Sequence, residues 1–146
     1  LPYLKILRPF ADKRSKWRNT CPKNLVHFLH AERYYEEQYK IVTKSLKDVM
    51  VLYQMGISAV AVMSESAEPS WYPPELLQQM EGALVLMDND EAGKICADKW
   101  EEAGYKIIFT PLWHKSKDIS DLVLEIGFEN AKAWIMSCLD STVTPD

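Results

Sequence analysis

Four short runs of β-branched and aliphatic residues recur along the chain, and each is separated from the next by a longer stretch with helical spacing. The runs are 40–43 (KIVT), 59–63 (AVAVM), 83–87 (ALVLM) and 105–110 (YKIIFT). Between and after them, 46–55, 75–80, 91–103, 119–126 and 129–139 read as helices, with Gly56 and Gly104 as C-terminal stops. Strands that are apolar at nearly every position need cover on both faces, whereas a half-exposed antiparallel strand alternates. The pattern therefore predicts an α/β fold: a mainly parallel sheet of about four strands flanked by helices on both faces. Right-handed crossovers then gather the loops at the C-terminal strand ends into one crevice. A further helix is expected over 24–37, behind Pro22, with Leu25, Phe28, Leu29 and Tyr35 on one face.

Composition narrows the setting. With 146 residues, 47% apolar and 26% charged, the chain suits one folded domain that needs no covalent staple. Cys21, Cys96 and Cys138 are too widely spaced for a zinc ribbon and odd in number for a disulfide framework, so a reduced, cytoplasmic setting is expected. No apolar run approaches the roughly 20 residues of a membrane span. A first residue of Leu1 rather than Met is read as a sign of a longer parent protein.

The net charge of -4 conceals an asymmetry. Residues 1–24 carry seven basic side chains against the single acid Asp12, or +6, while the remaining 122 residues carry 10 basic and 20 acidic ones, or -10. The expected division is a basic arm and linking helix (1–38), a body (39–140) and a flexible tail (141–146). Tyr3, Phe10 and Trp17 interleave the arm's charges, a composition suited to phosphate contact with base stacking, although a solvated linker has the same composition.

The residues that follow each strand are unusually polar: Thr43, Lys44 and Ser45; Ser64 and Glu65; Asp88, Asn89 and Asp90; then Lys117 and Asp118. In an extended segment, residues two apart point the same way, so Asp88 and Asp90 can face one point. Paired carboxylates at a strand end suit Mg²⁺, or Mn²⁺ in its place, because such ions take hard oxygen ligands and share substrate phosphates. Asp-Asn-Asp also favours turns, and Asp90 can equally cap the helix that begins at Glu91. No G-x-G-x-x-G follows the first strand, which argues against dinucleotide binding.

The segment MDNDEAGK (87–94) resembles the D-x-D-x-A-G motif of the Toprim domain shared by DNA primases, topoisomerases and some nucleases. TKSLKDVMVLYQMGI (43–57) and KSKDISDLV (115–123) resemble the first Toprim motif and the K-D-x-x-D stretch of primases. Order and spacing agree over about 39–135. The likeness is strongest to phage or mobile-element primases and primase-helicases, whose pre-Toprim segment the arm also resembles.

The resemblance implies Mg²⁺-dependent nucleotidyl transfer in RNA primer synthesis on single-stranded DNA, with Asp88 and Asp90 as metal ligands. It implies nucleotides as substrates, a replicative helicase as a possible partner, no membrane, and a monomeric domain of a larger protein. The family's metal-binding or base Glu falls here on Lys44, and its Gly on Ser45. Either the domain has lost transfer chemistry and serves as a nucleic-acid-binding scaffold, or Glu65 replaces the missing acid; Glu65 as a plain loop acid is the third option. A Toprim nuclease is a further alternative. Lys44, Lys47, Lys94, Lys117, Arg14, Lys16 and Arg18 are candidate phosphate contacts, while Asp48, Asp118 and Asp121 are candidates for orienting the site or capping a helix.

Overall fold

The computed structural model describes residues 5–24, 26–27, 38–111 and 116–141. Three strands precede the first helix of the body: β1 (Lys5–Leu7), β2 (Trp17–Asn19) and β3 (Val26–His27). The body then runs β4 (Ile41–Thr43), α1 (Leu46–Gln54), β5 (Ala59–Val62), α2 (Pro74–Gln79) and β6 (Leu84–Leu86). It ends with α3 (Glu91–Glu102), β7 (Lys106–Ile108), α4 (Ile119–Ile126) and α5 (Phe128–Ser141).

The main sheet has the order β3-β5-β4-β6-β7, with β4, β5, β6 and β7 mutually parallel and β3 antiparallel to β5. Successive strand residues point to opposite faces, and each face has its own buried core. Val42, Val60, Val62 and Val85 pack with Met80, Cys96, Ala97 and Trp100, which places α2 and α3 on one face. Ile41, Ala59, Ala61, Leu84 and Leu86 pack with Val49, Leu52, Leu122 and Ile135, which places α1, α4 and α5 on the other. The α/β fold with a four-stranded parallel sheet is thus as expected, with one antiparallel strand added at its edge.

Gly56, at φ 81°, follows α1 and turns the chain towards β5, a conformation that L side chains rarely adopt. The chain leaves β4 across one face to reach β5, and leaves β6 across the other to reach β7. The order therefore reverses between β4 and β6, where the C-terminal strand ends open a crevice.

The helix expected over 24–37 requires correction. Val26 and His27 are extended and pair with Val62 and Ala61. Val26 is buried against the first core, so an open sheet edge and apolar burial override the local helical spacing. The other residues of that expected helix, Asn24 apart, lie outside the described residues, as do Trp113, His114 and the tail beyond 141. The basic segment is an antiparallel hairpin in which Leu7 pairs with Trp17. Among the described residues, no helix is long and apolar enough to cross a membrane.

Candidate functional site

The site forms at the sheet's C-terminal edge because three helices begin there. Ser45 Oγ accepts the Asp48 N–H and caps α1, Asp90 Oδ1 accepts the Gly93 N–H and caps α3, and Asp118 Oδ1 accepts the Asp121 N–H and caps α4. Each N-terminus brings unpaired N–H dipoles towards the carboxylates at this edge.

Asp88 is the centre of the group and is only 2% exposed. Its carboxylate lies 2.8 Å from Lys44 Nζ, which also stands 2.7 Å from Glu65 Oε1. Lys44 therefore bridges the ends of β4, β5 and β6. Lys117 Nζ lies 3.4 Å from Asp90 Oδ2 and 4.0 Å from Asp88 Oδ2. Lys47, more exposed, stands 3.7 Å from Asp118. Among the described residues, two groups of three carboxylates share Asp88, one with Glu65 and Asp90 and the other with Asp48 and Asp118; within each group one oxygen of each residue lies within 4.8 Å of the others.

Burial drives the proton affinities of this group. Asp48 is pushed up to about 6, first by burial and then by the charge of Asp118, against the hydrogen bond it accepts from Ser120 Oγ at 2.7 Å. Burial also raises Asp88, against the opposing pull of Lys44. Lys44 has burial working against its charge, yet its two carboxylate partners hold it firmly protonated. For Asp90, burial is outweighed by the Gly93 N–H and Lys117, so its carboxyl titrates below the ordinary range.

The residues named from the sequence divide into those brought together and those kept apart. Asp88, Asp90, Glu65, Lys44, Lys117, Asp48, Asp118 and Lys47 converge. Asp121 supplies its backbone N–H to the cap of α4, and Lys94 is exposed on α3. Arg14 lies in the hairpin turn and Lys16 at its close, where the Arg8 N–H donates to Lys16 O at 2.6 Å; the Arg18 side chain lies outside the described set.

Three residues have roles that spacing alone does not reveal. Asn89 donates its side-chain amide to Thr110 O at 3.2 Å and its backbone N–H to Lys117 O at 2.7 Å, which fastens the loop after β6 to the segment after β7. Ser120 reaches Asp48 across 72 residues of sequence, a pairing with no local signal. Gly93 stands so close to the Asp88 backbone that a Cβ there would meet Asp88 O at 1.9 Å. The Ala-Gly that follows D-x-D was the available clue to that approach.

The donor set can be tested against a divalent ion. Asp88 and Asp90 offer hard oxygens at one edge, as Mg²⁺ requires, and the half-exposed Asp90 leaves room for substrate oxygens. Glu65 is within reach of both but is engaged by Lys44. The residues fit an ion at Asp88 and Asp90.

Comparison with known proteins agrees with this frame. No family model matches the chain. A DNA primase of Helicobacter pylori is 26% identical over 145 aligned residues, covering 88% of this chain and 25% of that protein. The crystal structure of the RNA polymerase domain of Mycobacterium tuberculosis primase DnaG superposes with a TM-score of 0.66 at 22% identity, covering 90% of this chain and 49% of that one. The chain thus spans a quarter of the length of the curated relative and about half of the solved chain. The resemblance to the DNA primase family and its Toprim-like fold is borne out.

Proposed function

We propose that this chain is the Toprim-like catalytic domain of a phage-type DNA primase, which joins nucleotides into an RNA primer on single-stranded DNA. The observation that carries the reading is the meeting of Asp88 and Asp90 at the switch point of a primase-like sheet, with Lys117 beside them. Mg²⁺, when bound there, supplies neutralising charge for the triphosphate and lowers the pKa of the attacking 3′-hydroxyl. Asp88 and Asp90 hold that charge in place, and Asp90 also fixes the start of α3. Lys117 and Lys47, both largely exposed, exchange their carboxylate partners for substrate phosphates. Asp48, held by Ser120, braces the first turn of α1 against α4.

The basic hairpin is the template contact in this reading. Asp12, its one acid, accepts the N–H groups of Arg14 and Ser15 and the Ser15 hydroxyl, and so is spent on folding the turn. Arg8, Lys13, Arg14 and Lys16 are left exposed around a fully exposed Phe10. The division into a basic arm and a body is kept in this reading, with β3 assigned to the body's sheet and Ser141, expected to open the tail, to the end of α5. Nucleotides and template are the expected partners, with a replicative helicase acting through other parts of the parent protein in the cytoplasm.

A second reading, a non-catalytic nucleic-acid-binding domain, is favoured by one feature: Lys44 stands where the family's Glu is expected and occupies Asp88 and Glu65. Primer synthesis by the parent protein on single-stranded template with Mg²⁺ decides between them. Product that disappears with Asp88→Ala supports the primase. Template binding without product supports the binder, and nicking of supercoiled DNA points to a nuclease instead.

A further inference from the structure

The balance of charges around Asp88 constrains how many ions the site holds, an inference that rests on the metal reading above. Among the described residues, five carboxylates (Asp48, Glu65, Asp88, Asp90 and Asp118) and three ammonium groups (Lys44, Lys47 and Lys117) meet there, leaving a charge of -2. One divalent ion cancels that charge. Two groups of three carboxylates would otherwise invite two ions. Lys44 differs from the other two lysines because it is mostly buried and lies 2.7 and 2.8 Å from its two carboxylates, whereas Lys117 stands 3.4 and 4.0 Å from Asp90 and Asp88 and, like Lys47, is largely exposed.

We propose that the Lys44 ammonium is a tethered cation that takes the place of one divalent ion between Glu65 and Asp88, so that this site binds a single Mg²⁺ or Mn²⁺. Its nitrogen lies at hydrogen-bond distance from both oxygens, the separation at which a monovalent ammonium, unlike a hydrated metal, satisfies two carboxylates directly. Lys44→Glu changes the local charge from -2 to -4 and adds a third carboxylate at that position, a demand for two ions. Glu65 then has a defined role: it anchors the tethered cation rather than replacing the lost acid as a ligand.

Mn²⁺ binding to the whole chain, followed by electron paramagnetic resonance of free Mn²⁺ at about pH 8, tests this without reference to activity. The expected counts are one ion for the wild type, one for Lys44→Arg and two for Lys44→Glu. Lys44→Gln is expected to bind its first ion at least about tenfold more tightly, since a positive charge beside the ion has been removed. Thermal unfolding with and without Mn²⁺ checks that each variant is folded. Two ions on the wild type, or equal counts and affinities for wild type, Lys44→Glu and Lys44→Gln, overturn the proposal while leaving the metal reading intact. No ion on the wild type, with Asp88→Asn behaving identically, overturns both. Because the wild-type count bears on the proposal directly, a variant that fails to fold does not remove the test.

Discussion

Asp88 shows at the scale of one residue why a carboxylate is worth burying. It is out of water, so its charge is tolerated through Lys44, the more distant Lys117 and the neighbouring dipoles, and any cation that binds there gains from the same low dielectric. Replacing it with Asn is expected to weaken Mn²⁺ binding at least about a hundredfold, measured by titration, while Lys44 loses one partner. Asp48 titrates in the opposite sense to a stabilising salt bridge. Its folded-state value of about 6 lies above its ordinary 3.8, so its ionised form costs stability at neutral pH, and that cost fades as pH falls through 6 towards 3.8. Metal-free protein is therefore expected to gain a contribution to stability from this residue between pH 7 and pH 5. Asp48→Asn removes that component, since Asn can still accept from Ser120; thermal melts of the two proteins across the interval check it. Asp88 and Asp90 were legible in the sequence because their pairing is local. The Ser120–Asp48 bond was not, because no spacing rule links residues that only folding brings together.

At the scale of elements, the turn from β6 into α3 combines two demands. Asp90 must both cap the helix and face the site, and its two oxygens divide the work: Oδ1 takes the Gly93 N–H while Oδ2 faces Lys117. The ligand and cap readings of Asp90 are thus compatible. Asp90→Ser keeps an acceptor for Gly93, so stability should change by only a few tenths of a kcal/mol while Mn²⁺ affinity falls; Asp90→Ala should also lose about 1 kcal/mol of helix stability. Denaturant unfolding beside metal titration separates the two functions. Gly93 sets how closely α3 approaches the strand end. Gly93→Ala must push the helix away from the Asp88 backbone and is expected to cost about 1–3 kcal/mol in chemical denaturation. Element types were readable in the body because strand runs and helical spacing differ in period. The failure lay at 26–27, where a two-residue strand is too short to have a period, and an available sheet edge decided its conformation.

For the whole molecule, the acidic body and basic hairpin are complementary in function rather than contradictory in charge. The body concentrates carboxylates around Asp88, whereas the hairpin's one acid is consumed by its own turn. Converting Arg8, Lys13, Arg14 and Lys16 to Gln should weaken single-stranded DNA binding and lower the dependence of log affinity on log salt by up to about 3, from roughly 0.7 per phosphate contact. Fluorescence anisotropy at several salt concentrations measures both. The α/β class, the parallel strands, the helix stops and the Asp88–Asp90 pair all follow from local periodicity and spacing, which act over a few residues. The strand order that places β4 beside β6, the addition of β3 at the edge, and the closure of Lys44 upon Glu65 and Asp88 depend on contacts between distant segments. In sequence Lys44 reads as a missing ligand; in the fold it is a half-buried cation between two acids, because the burial of Asp88 makes an unpaired carboxylate too costly to leave unanswered.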